Sequence, residues 1–160
     1  MVDRIPTRST SATSIGWRLD FEMTRRALQG HRVVVIDDDS ESFGRAFISL
    51  SRAGCEATLA RRWAQVAPAV RQRRPTLIIF STELTDADGL EILGRLRNDE
   101  STKAAIVVAL ASRESRKERR KLLALGCDGY IWKPTDRYLF ATELVERTPR
   151  LLDVIASTRA

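Results

Sequence analysis

Residues 75–89 read PTLIIFSTELTDADG. An apolar run, Leu77-Ile78-Ile79-Phe80, ends at Ser81 and empties into a turn that carries Glu83, Asp86 and Asp88 ahead of Gly89. A short continuous run of β-branched and aromatic residues, bounded by turn residues, fits a strand covered on both faces. What stands at the exit of such a strand bears on function, and here it is a serine in the middle of an acidic stretch.

The same pattern recurs on either side. RVVVI (32–36) is a second continuous apolar strand, followed by SESFGRAFISLSRAG (40–54) with Phe43, Phe47 and Leu50 at helical spacing. Ser40 suits the N-cap of that helix and Gly54 its stop. CEATLA (55–60) reads as a strand and AQVAPAVRQRR (64–74) as a helix in which Pro68 is tolerated only near the first turn. Beyond Gly89 the alternation continues with GLEILGRLRN (89–98), AIVVAL (105–110), RKERRKLLALG (116–126), GYIW (129–132) and DRYLFATELVER (136–147). Five strand–helix units joined by right-handed crossovers make an α/β fold, a parallel sheet with helices on both faces. In open sheets of this kind a site forms beyond the carboxyl ends of the strands where strand order reverses. The first and third strands flank that point, ending in Asp37-Asp38-Asp39 and Ser81.

At 160 residues the chain has room for one core, and its 43% hydrophobic and 30% charged content is that of a globular domain. No apolar run is long enough to cross a bilayer, and the N-terminus lacks the apolar stretch of a secretory signal, so a cytoplasmic location is the expectation. Cys55 and Cys127 stand at no metal-ligand spacing and are expected as reduced, buried thiols. Net charge is +6, and RESRKERRK (113–121) packs six basic and two acidic side chains into nine residues. The excess is therefore a local patch.

Three groups fall at strand ends: VVVIDDDS after the first, LIIFSTELTDADG after the third and GYIWKPT after the fifth. In order and spacing they resemble the response-regulator receiver domain, over residues 32 to about 147. The resemblance implies a flavodoxin-like five-stranded sheet of order 2-1-3-4-5 and a role in two-component signalling; for this chain no enzymatic activity and no cofactor are expected. It implies that Asp37 and Asp38 match the acids that hold a divalent metal, that Lys133 matches the lysine that pairs with a phosphoryl group, and that Tyr130 matches the switch aromatic, with Pro134 after Lys133. Two positions depart from the family. Ser81 replaces the phospho-acceptor aspartate, and Ala111 stands where a hydroxyl is expected, with Ser112 one position late.

A carboxylate is ionised at neutral pH and attacks phosphorus; a serine hydroxyl without a positioned base is a poor nucleophile. Losing the acid also removes a metal ligand, so affinity for a hard cation should fall and no metal is assigned. An Asp38–Lys133 ion pair is the expected resting state. Asp38, an ordinary carboxylate, is too weak a base to activate Ser81. Glu83 reads either as a replacement carboxylate or as a surface acid, and Asp86 and Asp88 as caps of the following helix. The whole reads as a degenerate pocket of Asp37, Asp38, Ser81, Ala111 and Lys133, a pseudo-receiver that does not take phosphate on its third strand.

The signal then falls to the basic fourth helix of the alternation, about 115–125, where Arg113, Lys117 and Lys121 recur at spacings of four, Arg116 and Arg120 form an adjoining stripe, and Leu122, Leu123 and Leu125 are expected to anchor it. With Arg119 these cations form either a solvated face, balanced by Glu114 and Glu118, or a docking surface. In the family the fourth helix, fifth strand and fifth helix meet partners. The favoured function is regulatory protein contact independent of aspartyl phosphorylation; the alternatives are a cyclic-dinucleotide sensor using 113–121 and nucleic-acid binding through the same patch. No output domain is legible, so the effect is expected to pass by contact. Residues 1–30 read as a polar arm and a short amphipathic helix with Trp17, Phe21 and Leu28 on one side and Met23 nearby; 31–147 form the receiver-like domain. The tail 148–160, with Leu151, Leu152, Val154 and Ile155, either packs back on the domain or pairs two chains as a homodimer.

Overall fold

The computed structural model describes residues 21–133, 136–151 and 153. The polar arm, Trp17, Pro134 and the apolar residues Leu152, Val154 and Ile155 lie outside the described residues. The chain opens with helix α1 (residues 21–28) and then alternates: β1 (Arg32–Ile36), α2 (Ser40–Arg52), β2 (Glu56–Ala60), a single 3-10 turn (Trp63–Gln65) running into α3 (Val66–Arg73), β3 (Leu77–Ser81), α4 (Gly89–Asn98), β4 (Ile106–Ala111), α5 (Arg116–Ala124), β5 (Gly129–Trp132) and α6 (Phe140–Arg147). The five strands form one parallel sheet of order β2-β1-β3-β4-β5. The fourth and fifth helices of the sequence alternation are α5 and α6.

Side chains alternate across a strand, so each strand feeds two cores. Val33, Val35, Ile79, Val108, Leu110 and Ile131 pack under α2 and α6, with Leu28 of α1. Val34, Ile36, Ile78, Phe80, Val107, Ala109 and Tyr130 pack under α3, α4 and α5. All residues of β3 and β4 are buried, which explains why these strands read as unbroken apolar runs. Pro68 falls in the first turn of α3, where its missing N–H costs nothing. Gly89 opens α4 because a Cβ there would lie 3.2 Å from Thr82 Cα and Cβ.

Several local expectations need correction. Asp39, not Ser40, caps α2, accepting from the Glu41 and Ser42 amides, because its carboxylate carries full charge at a helix N-terminus. Asp88 caps α4 as expected, but Asp86 accepts from the Trp63 amide at 2.9 Å and ties the β3–α4 loop to the start of α3. Met23 and Phe47 are exposed, since α1 buries Thr24, Ala27 and Leu28 and α2 buries Ala46, Ser49 and Leu50. Of the leucines expected to anchor α5, only Leu122 is buried; Leu123 and Leu125 face outward. Leu151 is buried in the core under α2 and α6, and Gly129 leaves room for Thr148, whose Oγ1 would lie 2.6 Å from a Cβ at that position. Arg150 adds hydrogen bonds to Asp128 and to the Ala104 carbonyl, so the described part of the tail packs on its own domain.

Both cysteines are free thiols. Burial pushes the Cys55 thiol up to about 12 and the Cys127 thiol up to about 11, so neither is a thiolate nucleophile near neutrality.

Candidate functional site

The exits of β1, β3 and β5 converge on one pocket, and strand parity decides what meets there. The Asp37 amide still donates to the Ala60 carbonyl, and the Lys133 amide to the Ala111 carbonyl, so both residues extend their strands by one step. Asp37 follows Val35, Ser81 follows Ile79 and Lys133 follows Ile131, each two residues on, and all three predecessors belong to the core under α2 and α6. Asp37, Ser81 and Lys133 therefore share a face. Asp38 follows Ile36 and Ala111 follows Ala109, both in the opposite core. Those two fall on the other face, and parity alone would have separated the five.

Lys133 Nζ lies 3.0 Å from Asp37 Oδ1 and 3.9 Å from Asp39 Oδ2. The expected Asp38–Lys133 pair is thus replaced by Asp37–Lys133, because Asp38 points away and accepts from the Thr85 amide at 3.1 Å. The Asp37 side chain is fully buried and that of Lys133 is partly buried, 16% exposed. Asp37 Oδ1 also accepts from the Asp39 amide at 3.0 Å, and its Oδ2 has no donor among the described residues. A buried carboxylate requires a compensating charge. Lys133 supplies it.

Ser81 is 0% exposed, and its Oγ accepts from the Glu83 amide at 3.3 Å. Among the described residues no carboxylate or imidazole is hydrogen-bonded to that hydroxyl. The donor set does not fit a divalent cation of the family type. Asp37 is occupied by Lys133, Asp38 by a backbone amide, and the third carboxylate is missing at Ser81; among the described residues no group of three His, Cys, Asp or Glu side chains comes together.

Glu83 is exposed, as its reading as a surface acid expects, and it also has partners that the sequence did not indicate. Its Oε2 accepts from Ser112 Oγ at 2.7 Å and its Oε1 lies 3.7 Å from Arg113 Nε. It thereby joins the loop after β3 to the loop after β4, one step beyond buried Ala111. On the same side of the sheet Tyr130 is turned inward, 7% exposed, its hydroxyl 3.4 Å from both the Arg113 carbonyl and Glu118 Oε1. Burial, reinforced by the Glu118 charge, raises the Tyr130 pKa. Arg113 is therefore held from two directions, by its carbonyl and by its guanidinium.

The cations of α5 do not form one stripe. Arg113 pairs with Glu83. Lys117 and Lys121 line a groove against α4 with Thr82, Asp88 and Leu90. Arg116 and Arg119 turn the other way, toward β5 and α6, where they line a pocket with Trp132, Tyr130 and Arg147. Arg120 is exposed and lines neither cavity. Ser115 caps the helix by accepting from the Glu118 amide, which spaces Arg116 and Arg119 one turn apart on one side. Glu114 and Glu118 make no ion pair with these cations among the described residues. The participation of Trp132 and Arg147 was not anticipated from the sequence; Trp132 lies outside the apolar alternation of β5, 52% exposed where β4 is fully buried.

Comparison with known proteins agrees with this architecture. The response regulator receiver domain family matches residues 33–145. The phosphate regulon transcriptional regulatory protein PhoB of Pseudomonas aeruginosa is 28% identical over 105 residues, which is 66% of this chain and 46% of that protein. The polar-differentiation response regulator DivK of Brucella anthropi is 28% identical over 102 residues, 63% of this chain and 83% of that protein. The chain thus spans under half the length of the first relative and most of the second. Among solved structures, a response regulator from Desulfuromonas acetoxidans superposes with a TM-score of 0.65 at 24% identity, covering 78% of this chain and 98% of that one.

Proposed function

The chain belongs to the response regulator receiver family, and on that premise we propose that it signals by protein contact without taking a phosphoryl group at the exit of β3. The observation that carries this reading is Ser81: a buried hydroxyl with no base beside it, at the position where the family uses an aspartate. Two further features agree. Lys133 is neutralised by Asp37 and needs no incoming anion, and the loops after β3 and β4 are already joined by Glu83 and Ser112. Apart from Asp37 Oδ2, the charged groups of the pocket are held by internal contacts, and its conformation is set without a covalent signal.

The partner surface in this reading is α5, β5 and α6, where the exposed cations and Trp132 stand. Incubation with magnesium and acetyl phosphate, read by intact mass and peptide mapping, is expected to leave the protein unmodified. A phosphoryl adduct on Ser81 or any neighbouring residue would overturn the reading. Charge reversal at Arg116 and Arg120 is expected to abolish capture of the regulatory partner from native cells while leaving the urea midpoint in place. Unchanged capture would count against this surface.

A further inference from the structure

The pocket between α5, β5 and α6 has a volume of about 310 Å3 and is lined by Glu114, Ser115, Arg116, Arg119, Tyr130, Trp132 and Arg147. Arg116, Arg119 and Arg147 all line it, and among the described residues none of the three side chains has an ion pair or a hydrogen bond. Some arginines elsewhere are held inside the fold: Arg97 holds three carbonyls and Asp128, Arg95 holds Glu91 and stacks over Trp63, and Arg150 holds Asp128 and the Ala104 carbonyl. Against the single carboxylate of Glu114 the pocket keeps a net charge of +2. Like charges gathered around one pocket favour a bound dianion, and arginine forks match phosphate oxygens two at a time.

Trp132 adds a second requirement. Half of its surface is open, in a pocket whose other walls are mostly charged or polar. An open indole beside guanidinium groups is a stacking surface for a planar ring. The volume lies at the small end of ligand sites, sufficient for one ring with its phosphate. Because Lys117 and Lys121 face the other groove and Arg120 lines neither cavity, the cationic surface is not a continuous track for a long polyanion.

We propose that this pocket binds a nucleoside monophosphate, with the phosphate, carrying a charge of about −2, held among Arg116, Arg119 and Arg147 and the base stacked on Trp132. The site goes beyond the protein-contact reading and does not depend on it. A bound nucleotide would occupy part of the same face and so compete with a partner docked there.

Titration of the intact chain with adenosine monophosphate, inorganic phosphate and adenosine, by calorimetry and by the Trp132 indole N–H resonance, tests it. Adenosine monophosphate is expected to saturate with a shift of that resonance, phosphate to bind about tenfold more weakly, and adenosine not to bind measurably. Arg119→Ala and Arg147→Ala are each expected to weaken nucleotide binding about tenfold, the loss of one charge-assisted hydrogen bond. Trp132→Leu is expected to reduce nucleotide affinity to that of phosphate, with an unchanged urea midpoint showing that each variant folds. Equal affinity for nucleotide and phosphate in the wild type would overturn the proposal, as would nucleotide binding that survives Trp132→Leu. Binding seen only with long oligonucleotides would also overturn it and assign the surface to a polyanion.

Discussion

The pocket at the strand exits and the face of α5 carry comparable numbers of charged side chains and treat them in opposite ways. At the strand exits Asp37, Asp38 and Lys133 each find a partner inside the chain, and Glu83 reaches across to Ser112 and Arg113. On α5 and α6, Arg116, Arg119 and Arg147 find none among the described residues, although Glu114 is close in sequence to two of them. A group whose charge is satisfied within the fold contributes to holding the fold; a group left open is available to something else. Together with the proposals above, the contrast assigns stability to one site and recognition to the other, and it can be broken by exchanging their responses to mutation.

The largest effect is expected from Lys133→Met. It strands the buried Asp37 carboxylate and should cost about 3 kcal/mol or more, read from urea denaturation. Asp37→Asn combined with Lys133→Met should recover most of that loss, because a neutral pair carries no desolvation penalty for charge. If the double variant is no better than the single, Asp37 is held by something other than Lys133.

Ser81→Asp should come next. A carboxylate placed on the face shared by Asp37 adds a second buried negative charge against one lysine, and about 2 kcal/mol of stability should be lost without divalent cation. Magnesium should restore much of it, because the variant regains the missing oxygen ligand, and should leave the wild-type midpoint unchanged. A magnesium-dependent rise in the wild type would show that the existing donors suffice.

How much of this was legible follows from which features are local. Strand positions could be read because continuous apolar runs and their spacing mark them, whereas the sheet order and the pocket positions came from the resemblance of the strand-end motifs to the receiver family. The partner of Lys133 was misassigned because Asp37 and Asp38 are adjacent and only strand parity, traced from Val35 and Ile131, tells them apart. Glu83–Ser112 was not legible, since two loop residues 29 apart meet only once α4 has closed the crossover. The basic run was legible as charge but not as geometry: the helix rotation that sends Arg116 and Arg119 toward β5 and Lys117 toward α4 is set by burial of Leu122 alone.

The link between the two loops should matter less than the ion pair, because Glu83 and Ser112 are both solvent-exposed. Ser112→Ala should cost about 1 kcal/mol, and a double-mutant cycle with Glu83→Gln should show coupling of the same size. Independent, additive losses would mean that the two loops are not joined in solution.

Tyr130 gives the comparison a pH axis. Its folded pKa lies above the ordinary value of 10, so the folded protein keeps a proton that the unfolded chain releases. The resulting stability is complete below pH 10 and is lost as pH rises through the folded value. Tyr130→Phe should flatten that limb. Cys55 and Cys127, raised to about 12 and about 11, contribute slopes of the same sign beginning near pH 9 and will remain in the variant. The tyrosine's share is therefore the difference between the two curves.

The smallest stability effect is expected where the charge density is highest. Arg116→Ala with Arg119→Ala removes two exposed guanidinium groups that hold nothing among the described residues, so the change should stay within about 0.5 kcal/mol. Added salt should narrow the difference further, because like charges at a surface are screened within a Debye length. A loss comparable to that of Lys133→Met would mean these arginines are structural, and the division between a pocket that holds the fold and a face kept open for a ligand would fail. Near-neutral stability together with lost nucleotide or partner binding would place the two arginines in recognition alone.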